Sequence, residues 1–178
     1  MSVPVILPAV LSLCCLLRSV TARADWEPWP DACESLSPGN DIPPQTSPLP
    51  WNIKIDDDKV QADGCVYITL EGNETNEFAG FMVQTRNESN IPVGKFRPAN
   101  DVKLISCFGV EKNTAININY LPKEEVIIRW FPEEKDQGHT VRVVATIARD
   151  YLEKEYWLKH ESVPIKILPP KYPLFVDR

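Results

Sequence analysis

Residues 78–107 read FAGFMVQTRNESNIPVGKFRPANDVKLISC, and this stretch decides the fold. Apolar residues recur at every second position, Phe81 and Val83 first, then Val102 and Leu104. That is the period of a half-buried β-strand. Between the two runs sit Asn87-Glu88-Ser89, a glycosylation sequon, and Pro92-Val93-Gly94, a turn signal. The stretch therefore predicts a strand, a turn, a short strand at 93–96, a loop, and a strand that ends in Cys107.

Working outward, the same alternation repeats. Residues 51–55 place Ile53 and Ile55 on one face, and 65–71 do so with Val66, Ile68 and Leu70. Further strands are expected at 114–119, 126–131, 139–149, 156–158 and 163–167, with turn residues every 8–15 positions. No segment has a convincing amphipathic helical period; 151–159 would tolerate one helical turn, but its aromatics suit an edge strand equally well. The expected fold class is all-β, an antiparallel immunoglobulin-like β-sandwich of about eight or nine strands.

The ends of the chain read differently. Residues 3–17 form an uncharged run rich in Val, Leu, Ile and Cys, and Ala22-Arg23-Ala24 has the small-x-small pattern of a signal-peptidase site. The run is interrupted by Pro4 and Pro8 and is shorter than the ~20 apolar residues of a membrane span. Residues 1–24 are therefore expected to be a cleaved signal, and the product to be secreted without a transmembrane segment. Residues 25–50 hold seven prolines and read as an extended leader that cannot be helix, with Trp26 and Trp29 free to cover a sheet edge. Residues 51–168 are assigned to the sandwich and 169–178 to a tail.

Removing Arg18 and Arg23 leaves 17 of the 19 basic residues against 25 acids, a net charge of −8. Such a balance argues against nucleic acid as a partner, because phosphate backbones need a basic face. Local cations remain. Arg86, Lys95, Arg97 and Lys103 fall close together in sequence, and would gather on one side if 93–96 folded back on 78–85. They are the candidate ligand-binding residues, weighed against the plainer reading of ordinary surface charges balanced by Glu88 and Asp101. Asn73 and Asn87 head two sequons, both in turns, and read as glycosylated surface.

Without the signal, three cysteines remain: Cys33, Cys65 and Cys107. In an oxidising compartment that is one pair and one leftover thiol. A Cys33–Cys107 bond would pin the leader to the fold and stabilise it by roughly 4 kcal/mol in the chain-entropy model. Cys65 is then a partly covered free thiol, with a Cys65-linked dimer as the alternative to a monomer. Catalytic chemistry is not apparent. His139 and His160 lack metal-ligand spacing, and no Ser-His-Asp or Cys-His set or phosphate-cradling glycine loop is present. Asp56-Asp57-Asp58 lacks the glycine and distal Glu of a calcium loop and reads as a solvated turn. No catalytic residue, cofactor or metal is expected.

Taken in order, several motifs together resemble the reeler domain, the module at the amino terminus of reelin and the spondins. They are the early Cys33, Pro44-Gln-Thr-Ser-Pro48, Phe78-x-Gly-Phe-Met-Val-Gln84 and Val93-Gly-Lys-Phe96. Leu104-x-x-Cys107, Ile128-x-Trp130-x-Pro132 and Val143-x-Ala-Thr-Ile147 continue them. One departure is Asn117-Ile-Asn119, where many members carry a Thr-His pair. The resemblance implies a Cys33–Cys107 disulfide. It also implies kinship with single-domain secreted defence proteins of insects and other arthropods, the noduler-like proteins. That group implies innate immunity through binding of microbial cell-wall polymers such as lipopolysaccharide, lipoteichoic acid or β-glucan. The alternative is an extracellular-matrix or cell-adhesion module for host receptors or glycosaminoglycans. Larger members add redox or matrix domains, and a chain of this length is expected to hold one reeler and no haem-dependent reductase.

Overall fold

The computed structural model describes residues 31–39, 41–150 and 154–171. The expected signal at 1–24, Trp26, Trp29 and the last seven residues lie outside them. Two sheets face each other. The smaller has four strands in the order β1 (Asn52–Ile55), β3 (Val66–Glu71), β8 (Glu125–Phe131) and β5 (Lys95–Arg97). The larger has seven: β2 (Lys59–Gln61), β11 (Ile165–Leu168), β9 (Thr140–Ala148), β4 (Gly80–Asn87), β7 (Val110–Asn117) and β6 (Val102–Cys107) in order, with β10 (Tyr156–Glu161) also on β9. The expected sandwich is therefore present, with eleven described strands rather than eight or nine. One pairing departs from the antiparallel expectation, since β2 runs parallel to β11.

Alternation explains the core. Val66, Ile68 and Leu70 of β3 and Val126, Ile128 and Trp130 of β8 meet Phe81 and Val83 of β4 and the odd residues 141–147 of β9. Trp51 packs edge-on against Phe78 and Trp157, with centroids 6.0 and 5.0 Å away. The chain passes from one sheet to the other at Gly94. Val93 still donates its amide hydrogen to the Thr85 carbonyl at 2.8 Å, whereas Lys95–Arg97 pairs with β8. Gly94 has φ +67°, and an added Cβ would lie 2.5 Å from both the Phe131 carbonyl oxygen and Trp130 Nε1. Only glycine fits that crossover.

The middle of the larger sheet is buried on both faces, and every residue of β4 from Gly80 to Arg86 is buried. Its outer face carries Met82, Ile116, Val144 and Cys107, which pack with Ala32 and Leu36 in a second cluster. These last two belong to α1 (Ala32–Ser35), one turn of helix in the leader. The expectation that residues 25–50 could hold no helix is thus corrected. Prolines 30 and 38 flank this turn rather than occupy it, so nothing removes its donors. The Cys33–Cys107 disulfide ties α1 to the end of β6, with the two Cα atoms 5.4 Å apart.

Candidate ligand-binding face

Among the described residues, none forms such a cover over the outer face of the four-stranded sheet. Register sets its side chains in rows across the strands. Glu71 lies opposite Glu125, Thr69 opposite Ile127, and Tyr67 opposite Arg129, which in turn faces Arg97. In the next row Phe131 faces Lys95. Tyr67 and Ile127 stay 43% and 46% exposed, so this face is open to solvent. Arg97 places its Cζ 5.2 Å from the centre of the Phe131 ring, a cation–π contact. Beside them opens a cleft of about 390 Å³, lined by Lys95, Arg97, Lys112, Phe131 and Pro132 with Glu111 and Glu133. Glu133 forms ion pairs with both Lys95 and Lys135, with N–O distances of 2.7 and 2.6 Å. Its hydrogen bonds to Lys135 and then Lys95 hold its carboxyl below the ordinary carboxylate range, against a smaller opposing effect of burial.

Of the four expected surface cations, only Lys95 and Arg97 meet here. Lys103 sits on β6, in the other sheet, opposite Ile116. Arg86 is the clearest correction, because it is 3% exposed. Its Nε donates to Gln84 Oε1 at 2.8 Å and its Nη1 to Asn90 Oδ1 at 3.0 Å. Its Nη2 donates to the carbonyls of Cys33 and Glu34 at 3.0 and 2.9 Å. Burial pushes its pKa down, opposed by the Glu34 carboxylate, yet a guanidinium stays charged in a protein. Arg86 thus holds α1 onto the sheet. The expected fold-back of 93–96 on 78–85 is also corrected. Only 91–93 follows β4, and the crossover at Gly94 carries Lys95 and Arg97 to β8.

Cys65 is unpaired and half-buried at the start of β3. Asn73 is exposed, and its side-chain oxygen accepts from the Thr75 amide and hydroxyl, while that of Asn87 accepts from the Ser89 and Ile91 amides. In both sequons the amide oxygen is the tethered atom. Asn117 spends its side chain inside the fold, accepting from the Phe81 amide at 3.0 Å and donating to the Asn119 carbonyl at 3.1 Å. Among the described residues no group of three His, Cys, Asp or Glu could hold a metal ion, and no helix is long and apolar enough to cross a membrane.

Arg129, Tyr67 and Phe131 were not among the expected site residues. The alternation of β8 and β3 does turn them outward, so that signal was present. What gathers them with Arg97 is the β5–β8 pairing, which joins residues more than thirty positions apart and leaves no local trace.

Comparison with known proteins agrees with this architecture. The Reeler domain family model matches residues 31–171. The chain is 31% identical over 141 residues to "Putative defense protein 3" of Antheraea mylitta, covering 78% of this chain and 83% of that one. It is 29% identical to "Defense protein l(2)34Fc" of Drosophila melanogaster over 86% of this chain and 94% of that protein. A 30% match to "Putative ferric-chelate reductase 1 homolog" of the same fly covers 86% of this chain but spans only 26% of the relative's length. The human F-spondin reeler domain superposes with a TM-score of 0.56 at 15% identity, over 72% of this chain and 94% of that one, a likeness of fold alone. By its disulfide-pinned leader, its two-sheet core and the family match across nearly all the described residues, the chain belongs to the Reeler domain family.

Proposed function

We propose that this protein is a secreted, non-enzymatic defence protein that binds microbial surface molecules such as lipopolysaccharide, lipoteichoic acid or β-glucan. The observation that carries the reading is kinship with proteins named for defence along most of their length. Secretion rests on the signal pattern at 1–24, and the oxidising compartment it implies suits the Cys33–Cys107 bond. Glycans at Asn73 and Asn87 are part of the proposal. Asn73 belongs to the turn after β3, at the Glu71–Glu125 end of the small sheet, and Asn87 ends a strand of the large one, so neither sits among Arg97, Arg129 and Lys95. That face is the binding surface proposed here.

The test incubates the purified mature protein with lipopolysaccharide, lipoteichoic acid, peptidoglycan, β-glucan and whole bacteria. Binding well above that of an unrelated acidic glycoprotein is expected, with a transcript that rises on microbial challenge. Failure on every microbial surface, with binding to host cells or heparin instead, would move the protein to the matrix or adhesion class.

A further inference from the structure

The sheet register sets two guanidinium groups side by side. Arg97 of β5 and Arg129 of β8 are direct partners, and both are exposed. Like charges directly opposite on neighbouring strands repel. Among the described residues no carboxylate pairs with either guanidinium, and Arg97 finds only the Phe131 ring. Glu125, the other end of β8, is four residues away, about 13 Å at the rise of a strand and beyond the ~8 Å screening length at physiological salt. Glu133 is occupied by Lys95 and Lys135. Asp56, at the far end of the same row, accepts from the Tyr67 amide at 2.8 Å. Among the described residues, Arg97 and Arg129 therefore lie on an open face without an ion pair, with Glu111 lining the cleft beside Arg97.

We propose that Arg97 and Arg129 form a two-pronged receptor for a phosphomonoester carried on a saccharide, with Tyr67 lying against the sugar. The inference rests on the microbial-surface reading above and names the chemistry that face would select. Directly opposed strand residues have Cα atoms about 4.5–5.5 Å apart, which puts both forks within reach of one small ion once Arg97 leaves the Phe131 ring. A carboxylate satisfies a single bidentate arginine. A phosphomonoester offers three oxygens and a charge of about −1.5 to −2 at neutral pH, which matches two guanidiniums. A sulfate ester offers the same shape with one charge. Tyr67, next in the row beyond Arg129, supplies an exposed aromatic face at the distance of a neighbouring strand.

The experiment uses the full mature chain and surfaces bearing glucose 6-phosphate, glucose 6-sulfate or glucuronate, beside lipopolysaccharide and its enzymatically dephosphorylated form. The phosphate surface is expected to bind tightest. The double variant Arg97→Gln/Arg129→Gln should lose roughly tenfold or more of that affinity, the loss of one charge-assisted hydrogen bond or more. Lys166→Gln, on the other sheet, should lose nothing. Without ligand the double variant should melt slightly higher than the parent, because the repulsion is gone, and inorganic phosphate should stabilise only the parent. Unchanged phosphate affinity in the double variant overturns the receptor, as does equal affinity for phosphate and sulfate, which would make the face a general polyanion surface. If parent and variant both retain bacteria while neither prefers phosphate, the receptor falls and the defence reading stands. If glucose 6-phosphate binds and no microbial surface does, the defence reading falls and the receptor stands.

Discussion

The two outer faces of this sandwich hold arginines of opposite fate. On the large sheet Arg86 sits under the leader and makes four hydrogen bonds, two of them to the backbone of α1. On the small sheet Arg97 and Arg129 lie open with no carboxylate partner among the described residues. Arg86 and Arg97 are eleven positions apart in the chain, and nothing in their own neighbourhoods separates them. What separates them is whether another piece of chain returns to cover the strand. A covered arginine becomes structure, and an uncovered one becomes surface for a ligand.

Breaking the cover should produce the largest effects. Replacing both Cys33 and Cys107 by alanine should cost about 4 kcal/mol of unfolding free energy for a loop of 74 residues, read by chemical denaturation. Next comes Arg86→Met, expected to lose about 2–4 kcal/mol, because two backbone carbonyls and the Gln84 side chain lose a buried donor. Arg86→Lys should recover little of it, since one ammonium cannot span four acceptors. If Arg129→Met destabilised the protein as much as Arg86→Met, the contrast between the faces would be wrong. At the crossover between the sheets, Gly94→Ala should cost about 2 kcal/mol or more, from a left-handed backbone and a Cβ set against Phe131 and Trp130; equal thermal stability would remove the steric account.

The smallest effect concerns the open side. Glu133 has a depressed folded-state pKa, so its pairing with Lys95 and Lys135 stabilises the native state above the ordinary carboxylate range. That contribution fades as pH falls through the depressed value. Glu133→Gln should accordingly narrow the stability difference between pH 6 and acid by a small amount, in melting curves taken across that range. An unchanged acid limb would show that the exposed cluster adds nothing measurable.

How much of this was legible follows from the same contrast. Period-two alternation placed Phe81, Val83, Val102 and the core of β8 and β9 correctly, because one face of each strand meets the opposing sheet. Alternation states which residues share a face; it does not state whether the other face is covered as well. Hence Met82, Gln84 and Arg86 read as an outer row and prove buried. Ile116 packs beneath α1 while Ile118, two residues on, is 61% exposed. The single turn at Ala32–Ser35 and the three-residue β2 are too short to carry a period at all. Lys123 is another residue of this kind. Its ammonium is enclosed by the carbonyls of Asn119 and Leu121 and by Asn119 Oδ1, a cage built from a loop rather than from any repeating pattern.

The covalent link between Cys33 and Cys107 also orders events in time. Chains leave the ribosome at about 5–20 residues per second, so Cys33 waits roughly 4–15 s for a partner 74 residues downstream. Cys65 emerges inside that interval. If the chain is secreted as proposed, Cys65 is the first thiol of the mature chain that Cys33 meets, and a Cys33–Cys65 bond is open to the nascent chain before the native one. The same unpaired Cys65, still half-accessible after folding, is positioned in sequence to be displaced again when Cys107 arrives by thiol–disulfide exchange. The native bond becomes available only once β6 has emerged, yet before β7 and β9, whose Ile116 and Val144 complete the surface beneath the leader, have been synthesised.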